Sequence, residues 1–327
     1  MAYKRFQNTV AESKLLLPFA AMVAATACYL IGLVPQQLWM QLVCLVVAVA
    51  LLVELNNSNQ LLRVVSQSTA AMYLLLVSVA ISLFPQIETG IMQLCLIAVY
   101  FMLFHCKQHH ESPGWVFYGF FCLGLASMVF VKILYYVPLI WLLMAVCLRA
   151  MTPRTFWASI LGLITPYWLG APLIVYLMGT EVIEPHFRQL VTFYPWADFS
   201  SLGTREWVVL GWTLLLALIG IIHYSRQGYQ DKIRTRLLHE IFIITDIITA
   251  VFLFLQPQHY DILLSILIVN TSPLIAHFIT LTHTWLTNIA FHVIILITLA
   301  IIALQLWTPS YSFLSTMATQ VCSYLPL

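Results

Sequence analysis

Charge is what this chain has least of. Lysine and arginine number 14 and aspartate and glutamate 12 in 327 residues, so charged side chains make up 8%, where an ordinary soluble domain carries roughly a quarter. So few charges do not cover a globule of this size, which excludes a soluble enzyme and a disordered chain. With a formal net charge of +2 and no basic run, a nucleic-acid binder is excluded as well. Paired cysteines are also missing. The seven (Cys28, Cys44, Cys95, Cys106, Cys122, Cys147 and Cys322) are scattered, with no CxxC pair. An odd, irregular set builds no disulfide framework, and without CxxC beside histidines no zinc site is predicted; the cysteines read as small core hydrophobes. Internal repeats and low-complexity segments are absent too.

What is present is apolar. Hydrophobic residues make up 62% of the chain, the mean hydropathy is +0.94, and runs of about twenty apolar residues recur, as in a chain whose solvent is lipid. The first run, Leu15 to Val34, follows Lys4, Arg5 and Lys14 and lacks a small-x-small cleavage site, so it reads as a retained first helix. Later runs are Leu38 to Val53, Ser66 to Phe84, Ile91 to His105, Trp115 to Val131, Pro138 to Leu148, Phe156 to Met178, Trp207 to Tyr224, Ile241 to Leu255, Ile262 to Leu281 and Thr287 to Leu306. The expectation is an all-α polytopic transmembrane helical bundle of about 11 spans, one integral membrane domain over residues 1–327.

Charge parity sets the count. Trp115 to Leu148 is too long for one crossing of a ~30 Å core and short for two. With two crossings and the N-terminus inside, Lys4, Arg5, Lys14, Arg63, Lys107, Arg149, Arg154, Arg226, Lys232, Arg234 and Arg236 are inner. Only Lys132, Arg188 and Arg205 are outer. A single crossing would put Arg226 to Arg236 outside, against the positive-inside bias. The C-terminus is then outside. Two connections are long: an outer interfacial loop at 179–206, with Phe187, Leu190, Val191, Tyr194 and Trp196 at near-helical spacing, and a basic inner loop at 225–240.

Chemistry is expected where spans are interrupted, because backbone groups freed in lipid must be satisfied by protein or by a water-filled cavity. Interruptions are read near Pro138, at Thr165-Pro166-Tyr167 through Pro172, and at Asn270-Thr271-Ser272-Pro273. The four prolines are expected around a common polar cavity. Ionisable groups inside apolar runs add Lys132 and Asp246. Topology brings Lys132 to the outer face with the long loop's Glu184, His186 and Arg188 and the His259-Tyr260-Asp261 turn. Arginine and lysine suit a phosphate, and histidine or carboxylate suits a general base. Candidate catalytic residues are therefore His186, His259 and Asp261; candidate substrate-binding residues are Lys132, Arg188, Tyr167 and Asn270. No metal site is expected from His277, His283 and His292, which lack i, i+4 spacing, or from His105, Cys106, His109 and His110, which are exposed beside Lys107. No cofactor is implied.

Four stretches carry a resemblance: Glu54-Leu55-Asn56-Asn57 through Arg63, Ser112-Pro113-Gly114-Trp115, Lys132-Ile133-Leu134-Tyr135-Tyr136-Val137-Pro138, and Leu163-Ile164-Thr165-Pro166-Tyr167-Trp168. They are similar to an uncharacterised multi-pass inner-membrane protein family of Gram-negative bacteria, which implies a bacterial inner-membrane location. In architecture alone the chain also resembles membrane glycan polymerases and lipid-linked glycosyltransferases. It departs from the latter in its first external loop, which is only Pro35-Gln36-Gln37 and lacks their acidic motif. The resulting expectation is a multi-pass protein of envelope biogenesis, with membrane lipid and a lipid- or polyprenyl-linked glycan precursor as partners at the outer face. A small-solute transporter or a membrane scaffold subunit is the alternative.

Overall fold

The computed structural model describes residues 13, 15–64, 66–106, 113–179, 181, 183–200, 202–282 and 285–323. It is all-helical, 85% helix with no strand among the described residues. In order the helices are α1 (Leu16–Leu30), α2 (Trp39–Asn59), α3 (Ser68–Val79), α4 (Ile87–Cys106), α5 (Pro113–Val129), α6 (Tyr136–Leu143), α7 (Pro153–Met178), α8 (Ile183–Val191), α9 (Thr204–Gln227), α10 (Ile233–Leu255), α11 (Tyr260–Leu281) and α12 (Trp285–Ser323). Eight described helical stretches are long and apolar enough to cross a membrane, and α1, α3 and α5 are shorter apolar helices. The protein is a multi-pass helical membrane protein. Helix is the form these runs must take, since in hydrocarbon only a helix satisfies its backbone within one segment.

Helix α11 is the hub. From Leu263 to Leu281 every residue is buried, and the helix packs against α3, α4, α9 and α10. Helix α3 is likewise buried at every position. Outer helices turn Val43, Val46, Leu142, Val146, Trp168 and Leu296 outward, a surface that lipid, not water, would cover. Close approach uses small residues, as is usual in membrane bundles. A Cβ on Gly220 of α9 would stand 2.8 Å from Leu274 Cβ of α11, and one on Gly124 of α5 would stand 2.9 Å from Pro166 of α7.

Several local expectations are corrected. Helices α7 and α11 run unbroken through Pro166 and Pro273. At Pro273 the reason is visible: the Val269 carbonyl, whose helical donor proline lacks, accepts from Ser272 Oγ at 3.0 Å. Pro138 falls in the first turn of α6, which begins at Tyr136. Pro166 and Pro273 are buried whereas Pro138 and Pro172 are exposed, and none of the four lines the cavities beside Tyr100 or Asp231. The interfacial helix stops at Val191, so Tyr194 and Trp196 belong to a non-helical strap, 192–197. The break before α6 is real: Phe130 is extended, and a 3-10 turn, Val131–Tyr135, follows it.

Candidate functional site

Buried polar groups form three clusters along the α10/α11 seam. Two sit at opposite ends of the bundle and one lies between. On α10 the stripe Thr235, His239, Thr245, Asp246 and Thr249 is buried at helical spacing, so one face of an apolar helix is polar and turned inward.

The first cluster is built on Lys132. Its side chain is buried, and its Nζ lies 2.8 Å from both the Thr192 carbonyl and His259 Nε2. The ammonium group is the donor, so His259 accepts at Nε2 and is neutral with its proton on Nδ1. The rings of Phe193 and Tyr194 lie 5.4 and 5.5 Å from the same nitrogen, within cation-π range. Gln256 clamps the strap from below, its Oε1 accepting from the Tyr194 amide at 3.1 Å and its Nε2 donating to the Tyr194 carbonyl at 3.0 Å. Tyr135 donates to the Leu190 carbonyl, and the Ala197 amide to the Leu255 carbonyl. The strap is thus tied down over Lys132.

The second cluster lies midway along the seam. Tyr100 of α4 donates to Asn270 Oδ1 at 2.7 Å and reaches Thr245 Oγ1 at 3.1 Å. Thr271 donates to Asp246 Oδ1 at 3.2 Å, and Tyr136 donates to Thr249 at 2.9 Å. Asp246 has no cationic partner among the described residues, and Asn270 Nδ2 has no acceptor. A cavity of about 20 Å³ beside Tyr100, Tyr136 and Thr245 has room for a water molecule.

The third cluster sits at the basic end. Asp231, between α9 and α10, accepts from Arg63 Nε and from His277 Nε2, the latter at 2.9 Å. Burial pushes the Asp231 carboxyl up, but the hydrogen bonds from His277 and Arg63 outweigh it and hold it below the ordinary carboxylate value. Behind it, ring centroids stand 5.2 Å apart for His239 and His277, 5.3 Å for His223 and His277, and 4.8 Å for Tyr224 and His239. His223 Nε2, His239 Nε2, His277 Nδ1 and Tyr224 Oη are buried without a hydrogen-bond partner. In front of Asp231 opens a cleft of about 710 Å³ whose lining includes Asn56, Asn57, Gln60, Arg63 and Lys232. Among the described residues no three His, Cys, Asp or Glu side chains are placed to hold a metal ion.

The candidates named from sequence fall in separate places. Lys132 and His259 meet. Asp261 accepts from Gln86 at 2.8 Å, while Tyr167 shares a 2.8 Å hydrogen bond with Ser127 and packs its ring against His186 and Phe187. Arg188 is exposed on α8, and no described contact joins it or His186 to Lys132. Asn270 is the central residue of the middle cluster. His105 donates from Nδ1 to the Phe101 carbonyl and stacks on Trp115; Lys107, His109, His110 and His283, like Lys4, Arg5 and Lys14, lie outside the described residues. Sequence reading missed His223, Asp231 and His239. For His239 a signal existed, seven residues before Asp246 on the same helix face. No family model, curated protein or solved structure matches the chain.

Proposed function

We propose that the protein is a transporter of a small polar or charged solute, passed along the α10/α11 seam. The carrying observation is Asp246, buried in an apolar helix with one hydroxyl donor and no cation among the described residues. A carboxylate in that setting is costly unless it takes up a proton or a cation, and ionisable groups of this kind mark ion and proton routes in membrane proteins. The unpaired Asn270 amide beside it is the second open group. The cleft at the basic end and the strap tied over Lys132 at the other describe a conformation open on one side and shut on the other, as alternating access requires.

In this reading the chain crosses the membrane eleven times with α1, α3 and α5 among the crossings, N-terminus inside and C-terminus outside. The basic end faces the cytoplasm by the positive-inside rule, and the membrane is the bacterial inner one. The test is untargeted mass spectrometry of small solutes accumulated by energised vesicles containing the wild type or Asp246→Asn. A set of solutes should depend on Asp246. Identical profiles from two equally monodisperse proteins would sink the transport reading.

Handling of a lipid-linked envelope precursor at the strap end is the second reading. Amphipathic α8 favours it, with His186 Nε2 unpartnered beside Tyr167. Two of the three Lys132 donors are already taken by Thr192 O and His259 Nε2, which weighs against it. Co-purified lipid identified by mass spectrometry would reverse the order of the two.

A further inference from the structure

The hydrogen bonds at the basic end fix two tautomers. A ring nitrogen facing a carboxylate or carbonyl oxygen must donate, so His277 carries its proton on Nε2, toward Asp231, and His239 carries its own on Nδ1, toward the Thr235 carbonyl at 3.1 Å. Each neutral ring is then left with a lone pair, on His277 Nδ1 and on His239 Nε2, and both atoms are buried without a donor. Two buried acceptors on neighbouring rings call for something that donates. A metal ion would serve, but among the described residues no three donors are placed to hold one. A proton needs only one nitrogen to accept it, and the new N–H then serves the second acceptor, directly or through a water.

We propose that the imidazole cluster of His239 and His277 is a proton-binding site, loaded from the cleft past Asp231. On loading, a proton from cleft water forms an N–H bond on one of the two free nitrogens, and the resulting imidazolium is balanced by the Asp231 carboxylate. On release that N–H bond breaks and the proton returns to water. The groups that set its affinity are Asp231 between α9 and α10, Arg63 after α2, His223 and Tyr224 on α9, and, acting on Tyr224, Arg236 and Glu240 of α10. The inference rests on the transport reading for its purpose. Seven residues along each helix, about 10 Å at 1.5 Å per residue, stand Asp246 on α10 and Asn270 on α11, so the bound proton sits about two helical turns from the middle cluster.

The test is histidine ring 15N NMR on the full chain in lipid nanodiscs, with His239→Gln and His277→Gln to assign the signals. As the pH is lowered from 8 for as long as the protein stays folded, the two rings should share the uptake of about one proton. Asp231→Asn, which removes the balancing charge, should lower the midpoint by about one pH unit, and Arg63→Gln should raise it by a similar amount. Asp231→Glu should restore it. Rings that keep one neutral tautomer throughout that range in the folded protein would overturn the proposal. So would a midpoint indifferent to both charge changes, or stoichiometric Zn2+ binding in calorimetry that both glutamine variants abolish. The titration requires no solute, so its failure is distinct from an Asp246→Asn result that sinks transport.

Discussion

Replacing Lys132 by methionine tests whether one ammonium group holds the strap shut. Methionine keeps the apolar stem and removes only the head, so packing against Phe193 and Tyr194 is largely retained. What is lost is two hydrogen bonds from a charged donor, to Thr192 O and His259 Nε2, each contributing about 1.5–3 kcal/mol. Only the bond to Thr192 O joins the strap, His259 lying outside 192–197, so about 1.5–3 kcal/mol bears on opening, which at 1.4 kcal/mol per tenfold is roughly ten- to a hundredfold in the strap's opening equilibrium. Two amides report it: Tyr194 N–H, held by Gln256 Oε1, and Ala197 N–H, held by the Leu255 carbonyl. Hydrogen exchange in nanodiscs should quicken roughly ten- to a hundredfold over 192–197, while α10 exchanges as before. His259→Gln, which keeps an acceptor, should quicken it less. Exchange within threefold of the wild type in Lys132→Met would refute the latch, leaving the strap to be held by Gln256 and by the Ala197 amide on the Leu255 carbonyl.

Three further outcomes are expected. A cysteine placed at Ser200 should react with an impermeant maleimide from outside the cell and one at Gln230 should not; the reverse pattern would invert the proposed orientation. Gly220→Ala puts a methyl 2.8 Å from Leu274 Cβ and should cost roughly 1–3 kcal/mol, read as a lower thermal midpoint, whereas Gly211→Ala on the same helix, with nothing within 4 Å, should cost nothing. The Asp231 carboxyl is held below its ordinary value of 3.8, so it contributes stability above that pH and loses it as the pH falls through the lower native value. Acidification through this range should therefore reduce the thermal midpoint of the wild type more than that of Asp231→Asn, and equal slopes would deny the ion pair its role.

Each apolar run of the sequence carries a helix, because in so apolar a chain the backbone has no other partner than itself. Lys132 and Asp246 were also legible, as charges where charge is costly. The prolines misled: a missing N–H implies a freed carbonyl, but at Val269 the hydroxyl of Ser272 closes that gap within the same turn. Arg63 and Lys232 counted in the sequence only as inner charges and Asp231 not at all, since the register that seats Arg63 on Asp231 spans 168 residues and leaves no local trace. His223 and His277 are single polar residues in apolar runs on different helices, and only the approach of α9 to α11 at Gly220 makes them neighbours.

The position of α11 bears on how the bundle is made. The helix that every inner neighbour leans on begins at Tyr260, so α3, α4, α9 and α10 are all synthesised before the element that fills the space between them exists. During translation that space has to be occupied by something else, lipid or the insertion machinery, and the polar stripe of α10 must wait beside it without Asn270, Thr271 or His277. The long-range pairings of the seam therefore form late and together. Chains halted before α11 would be expected to remain a loose array of inserted helices, recognisable by protease sensitivity, rather than a smaller version of the same fold.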